Sequence, residues 1–117
     1  MEKMTVEELM TLAKSAQVKT EGLPYVIVRS GQAGVFAGYL EKKEGDEVTL
    51  VNSRKIHYWN GAAAVEQLSQ DGVTLPASND NRFTLVVPRQ IVLGVAQILY
   101  ATEAARKNIE GVFVWKR

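Results

Sequence analysis

The sequence predicts a mainly β domain with flanking helices, an α+β chain whose strands bend strongly enough to build a small barrel. Three observations carry that expectation. Runs rich in β-branched residues stand at 25–29 and in the first half of 91–100. Residues 35–42 alternate with both faces largely apolar, as in a strand covered on both sides. Glycine stands where a curved strand would bend, with Gly38 the first candidate.

The 117 residues suit one domain. Residues 1–24 are expected to form an N-terminal helix and linker, 25–100 the barrel with an inserted helix at 62–70, and 101–117 a last helix and strand. Thr5 and Glu8 fit a capping box. Val6, Leu9, Met10, Ala13 and Ala16 then share one stripe, which predicts a helix over 6–17. Gly22 and Pro24 punctuate the chain before a strand over 25–29 and a turn over 30–34.

In 35–42, Val35, Ala37 and Tyr39 oppose Phe36, Gly38 and Leu40. Residues 41–47, EKKEGDE, read as a charged hairpin tip with Gly45 available for positive φ. A long strand follows over 48–58, with Val48, Leu50, Asn52, Arg54, Ile56 and Tyr58 on one face and a bend near Asn52. Asn60 and Gly61 end it, and the alanine-rich stretch to Gly72 predicts a short helix. Residues 76–82, PASNDNR, are the most loop-like of the chain. A strand over 83–87 and an interruption at Pro88 come next, and then the apolar stretch 91–100, which suits helix or strand and is read as strand because Gly94 disfavours a helix. Thr102 caps a helix through Asn108, and VFVW closes the chain as a strand.

Composition excludes several chemistries. Hydrophobic residues make up 46% and charged residues 23%, so the chain is expected to fold. Fourteen Lys and Arg against thirteen Asp and Glu leave +1, so any anion site must be local. Without cysteine there is no disulfide, thiol catalysis or cysteine-ligated metal, and His57 is the single histidine. The acids Asp46, Asp71 and Asp80 lie in turns with no metal-ligand spacing, so neither a metal nor a cofactor is expected. MEKMTVEEL lacks a signal-peptide core, and no stretch has the roughly 18 apolar residues of a membrane span, so a cytosolic location is expected.

The densest cluster of binding chemistry is SRKIHYWNGAA, residues 53–63. Arg54 suits bidentate contact with a phosphate, Tyr58 or Trp59 could stack on a base, and backbone N–H groups after Gly61 could receive an oxyanion. His57 and Asn60 are lesser members of the same set. Tyr58 and Trp59 point to opposite faces, so one of them is expected in the core. Gly31, Gly34 and Gly38 match neither a Walker A loop nor a dinucleotide fingerprint and are read as a turn and a bend. Arg29, Arg82 and Arg89 stand at strand ends, where a barrel mouth or a neighbouring subunit could gather them. Trp115, in an apolar setting, is expected to dock on the core or a neighbour.

Two resemblances follow from these residues. VIVRSGQAGVFAGYL, EVTLVNSRKI and VVPRQIVLGVAQI resemble the strand pattern of small SH3-like and Sm-like barrels, which implies edge strands able to pair between subunits. YVIVRSGQAGVFAGYL, RKIHYWNGAAAVEQLSQDGV and ATEAARKNIEGVFVW resemble an uncharacterised family of small phage and prophage proteins over about residues 25–115. In that family the middle motif runs Arg, Arg, Ile, Trp or Phe, Tyr, Trp, a variable residue, Gly and Ala. Arg54, Ile56, Tyr58, Trp59, Gly61 and Ala62 match it, whereas Lys55 and His57 depart from it.

The resemblance implies a phage or prophage origin, hence the cytosol of a host cell, and brings no activity with it. The expected function is non-enzymatic: a homo-oligomer that sequesters a nucleotide-derived immune signal through Arg54, Trp59, His57, Asn60, Gly61, Arg29 and Arg89. Open alternatives are a single-stranded nucleic-acid binder with an Sm-like ring and a structural or partner-blocking phage protein. Nucleic acid is disfavoured by the near-neutral charge. An enzyme would need an acid and base pair that His57 could only half supply.

Overall fold

A computed structural model describes residues 19–62 and 64–115. The helix expected over 6–17 lies outside the described residues. Six strands, β1 Tyr25–Ser30, β2 Gly34–Glu44, β3 Glu47–Tyr58, β4 Arg82–Phe83, β5 Val87–Val92 and β6 Val95–Tyr100, form one antiparallel sheet. Among the described residues there are also two helices, α1 Val65–Asp71 between β3 and β4 and α2 Glu103–Glu110 after β6. The strands lie in the order β4-β3-β2-β1-β6, and β5 also pairs with β3.

Among the described residues no ladder joins β5 to β6, so the sheet is not closed. It nevertheless curls. Val92 of β5 and Ile98 of β6, from opposite ends of the strand order, pack in one cluster with Val26, Val28, Phe36, Val48 and Leu50. On the other face, Tyr25, Ile27, Ala37, Tyr39, Val51, Ile56 and Phe83 pack with Leu68 of α1 and with Ala105 and Ile109 of α2. Strands β1 and β2 therefore bury both faces, which is why the alternation of residues 35–40 is apolar on both sides.

The bend expected at Gly38 and Asn52 is present, and it reverses the phase of β3. The β2–β3 register shifts between Ala37 and Tyr39, and Asn52 takes φ 46°, a left-handed conformation that Asn tolerates better than most residues. A Cβ on Gly38 would lie 2.3 Å from Ser53 Cβ, so the strands cross here only because residue 38 has no side chain. The extra residue sends side chains after it to the opposite face. Val48 and Leu50 consequently face the curled side, while Ile56 and Arg54 lie under the helices. Strict alternation had placed all four together.

The hairpin tip turns through Gly45 at φ 59°, closed by the Glu44–Glu47 pair. Helix α1 starts at Val65 rather than residue 62, and Gly72 at φ 73° ends it. Helix α2 is capped by Thr102, whose hydroxyl accepts from the Ala105 N–H at 3.1 Å. The strand expected over 83–87 is confined to Arg82–Phe83, and Pro88 lies within β5, an edge strand that can accommodate a residue without an N–H. Residues 91–100 are extended as expected, divided by Gly94 at φ 66°. The closing VFVW makes a single parallel bridge from Val114 to Phe83 in place of a full strand.

Candidate ligand-binding site

Arg54 is not an exposed strand-end cation. It is 2% exposed. Its Nε donates to the Thr84 carbonyl at 2.9 Å, Nη1 to the carbonyls of Ile109 at 3.1 Å and Val112 at 2.7 Å, and Nη2 to that of Phe113 at 3.3 Å. The guanidinium carbon also lies 5.2 Å from the Phe83 ring centroid. Burial pushes its pKa down, opposed by the nearby Tyr25 hydroxyl. Arg54 therefore ties β3 to the end of α2, and its motif position has a structural explanation.

Other motif residues also shape the chain locally. Trp59 is half-buried against the helix-covered core, with Nε1 donating to the Ala62 carbonyl at 3.0 Å. Gly61 takes φ 95°, and a Cβ there would meet the Thr74 hydroxyl at 2.5 Å and backbone nitrogens within 2.9 Å. The Asn60 N–H donates to Asn81 Oδ1 at 2.8 Å, and its side-chain amide reaches Ser78 Oγ at 3.3 Å and Asp80 Oδ2 at 3.4 Å. Asn81 is fully buried and also donates to the Leu75 carbonyl at 2.8 Å. Together Asn60 and Asn81 hold the 75–81 loop against the end of β3.

The structure does not bring all the expected residues to one place. Arg29 of β1 donates to Gln97 Oε1 of β6 at 3.0 Å, and Arg89 of β5 forms a two-pronged pair with Glu41 at 3.1 and 2.9 Å. Among the described residues Arg29 and Arg89 hold other partners, and of these three arginines Arg82 lines the cleft described next.

What does assemble is an aromatic and cationic surface at the β3–β4 edge. Tyr58 pairs with Arg82 across the ladder, and with Asp80 they line an open cleft of about 340 Å³. The Tyr58 side is 53% exposed. Beside the cleft, the exposed His57 ring stacks on Trp115, with centroids 6.2 Å apart and planes 10° from parallel. The Arg82 guanidinium carbon lies 5.2 Å from the centroid of the same indole. Trp115 reaches this place because its N–H donates to the Phe83 carbonyl at 2.9 Å.

Arg82 differs from the other described arginines. Arg29, Arg54, Arg89 and Arg106 all donate to protein acceptors, whereas Arg82 contacts the Trp115 ring and has no protein hydrogen-bond acceptor among the described residues. The sequence offered Arg82 as a strand-end cation and Trp115 as a residue docked on the core or a neighbour, and neither signal announced their contact. The signal present in the sequence was a cation closing the PASNDNR loop directly before an apolar strand.

A second cavity, of about 320 Å³, lies elsewhere and is lined by Tyr25, Tyr39, Asn52, Arg54 and Glu110 among others. The Tyr39 hydroxyl donates to Glu110 Oε2 at 2.9 Å, and Arg106 holds Glu103 and Glu110 on α2. Among the described residues no group of three or more acids or histidines could hold a metal ion, and no helix is long and apolar enough to cross a membrane.

The described residues define a curled antiparallel sheet with two helices packed on it and an aromatic, cationic recess at one sheet edge. The chain belongs to the family described as Domain of unknown function (DUF6948), whose model matches residues 23–109. That span includes Tyr58, Asp80 and Arg82 and ends before Trp115. No curated protein and no solved structure matches the chain.

Proposed function

We propose that this chain is a non-catalytic binding protein for a planar, anionic, nucleotide-derived molecule, held in the Tyr58–Asp80–Arg82 cleft. The observation that carries the reading is Arg82: a cation set on an indole, beside an exposed phenol ring, with its donors not taken by protein acceptors among the described residues. Arg82 would meet the phosphate, Tyr58 would stack on the base, and the Asp80 carboxylate would accept from an exocyclic amine or a ribose hydroxyl. Asn60 contacts Asp80 of the cleft lining, and His57 stacks on the indole that Arg82 contacts. Arg54, Trp59, Gly61, Arg29 and Arg89 take structural or ion-pair roles in this reading. The biological setting it suits is a phage or prophage protein that sequesters a host immune signal.

The reading includes a homo-oligomer and a partial barrel of SH3-like strand order. Strands β5 and β6 are edges of the open sheet, and Ile91 and Leu93 beside them are 59% and 56% exposed. Titration calorimetry with adenosine monophosphate, cyclic dinucleotides, cyclic ADP-ribose isomers and short oligonucleotides tests the binding function. The expected result is stoichiometric binding of a small nucleotide that is recovered unchanged on denaturation. Binding restricted to oligonucleotides and steeply weakened by salt would replace the reading with single-strand binding. Turnover abolished by His57→Ala would replace it with an enzyme.

A further inference from the structure

We propose that Arg54 is a positioning residue for the Tyr58–Arg82 cleft, acting through the C-terminal segment; the inference rests on the ligand-binding reading of that cleft. Arg54 itself lines the separate cavity with Tyr25, Tyr39 and Glu110, so it reaches the cleft only through intermediates.

The connection is continuous. A buried guanidinium must find acceptors, and among the described residues Arg54 has no carboxylate within ion-pair distance. Carbonyls serve instead. One, from Ile109, belongs to the last turn of α2, where the dipole favours a cation, and it also accepts from the Val112 N–H at 3.2 Å. Two more, from Val112 and Phe113, belong to the segment leaving the helix. The next two residues attach to β4: Val114 bridges Phe83, and the Trp115 N–H donates to the Phe83 carbonyl. Trp115 then carries the stacks on His57 and Arg82.

Apolar burial does not suffice to fix this segment. Phe113 and Val114 are each 40% exposed, so residues 113–115 depend on polar attachments for their path. A planar guanidinium can address four carbonyls in a fixed fork, whereas the point charge of a lysine cannot. Arg54→Lys should therefore loosen the segment, and Arg54→Met, which takes the guanidinium donors away from all four carbonyls and leaves Ile109 only its backbone donors, should loosen it further.

The test uses the full chain and its single histidine, whose imidazole gives one set of proton resonances displaced by the ring current of Trp115. Arg54→Lys and Arg54→Met, checked for a cooperative melt, are compared with Trp115→Leu and Arg82→Ala. Both Arg54 variants should shift the His57 resonances in the direction Trp115→Leu does, and Arg54→Met should weaken adenosine monophosphate or cyclic dinucleotide binding by about tenfold. If Arg54→Met does not fold, Arg54→Lys decides. Unchanged His57 resonances in a folded Arg54 variant, even one with a lower melting temperature, would overturn the inference. If Arg82→Ala leaves nucleotide affinity unaltered while the His57 resonances still move in the Arg54 variants, the cleft reading fails and the positioning role stands.

Discussion

The Arg82 guanidinium rests 5.2 Å from the centroid of the Trp115 indole, joining the residue that opens β4 to one at the far end of the described chain. Arg82 also lines the cleft with Tyr58 and Asp80. The indole thus supports a cation that lines the cleft, which gives the C-terminal segment a part in the shape of that recess.

Arg82→Ala and Tyr58→Ala should each weaken nucleotide binding about tenfold or more, since a charged hydrogen bond contributes about 1.5 to 3 kcal/mol and a base stack about 1 to 3. Both side chains are exposed, so melting temperatures should barely change. Calorimetric titration reads the affinity. Equal affinity in both folded variants would place binding away from this cleft.

Gly38→Ala should destabilise the fold by about 3 kcal/mol, at the upper end of overpacking costs. The added Cβ would meet Ser53 Cβ at 2.3 Å and Ser53 Cα at 2.8 Å. Ser53→Gly in the same chain removes the first contact and leaves the second, so it should restore only part of the loss. Urea denaturation of the two variants and the parent chain measures this, and a stable Gly38→Ala would show that β2 and β3 separate easily.

Asn81→Ala should cost about 2 to 4 kcal/mol, because it leaves the Asn60 N–H and the Leu75 and Pro76 carbonyls without a side chain that is fully buried among them. It should also weaken nucleotide binding in the fraction that folds, since the 75–81 loop carries Asp80. Thermal melts and titrations on the same sample separate the two effects.

Stability should fall as pH rises above about 10. Burial first, then the Glu110 carboxylate and the neighbouring Tyr39, raise the pKa of Tyr25 above its ordinary value of 10.0. The unfolded chain therefore releases this proton before the folded one does. The stabilisation is fully present below pH 10 and is lost as pH climbs through the raised value. Melting temperature against pH should decline less steeply above pH 10 in Tyr25→Phe; parallel curves would show that Tyr25 does not govern the alkaline limb.

Light scattering at micromolar concentration should return a mass above the 12.9 kDa of one chain, since β5 and β6 leave two sheet edges open with Ile91 and Leu93 exposed beside them. A mass of one chain would remove the oligomer from the proposed function.

The sequence by itself determined the features that depend on neighbours along the chain. Gly45 announced the hairpin turn, Thr102 the cap of α2, Gly72 the end of α1, and Gly38 with Asn52 the bend in β2 and β3. Those signals are local because a cap or a turn is a property of a few consecutive residues. The segment around His57 and Tyr58 was also legible as chemistry. Tertiary structure alone decided which of its residues face outward. The bulge at Asn52 reversed the side-chain phase of β3, so Arg54 turned under the helices. Its acceptors stand 30 to 59 residues away in sequence, beyond the reach of any periodicity. Arg82 and Trp115 likewise meet only because the chain end is laid beside β4, and that placement depends on packing and long-range hydrogen bonds rather than on any local preference.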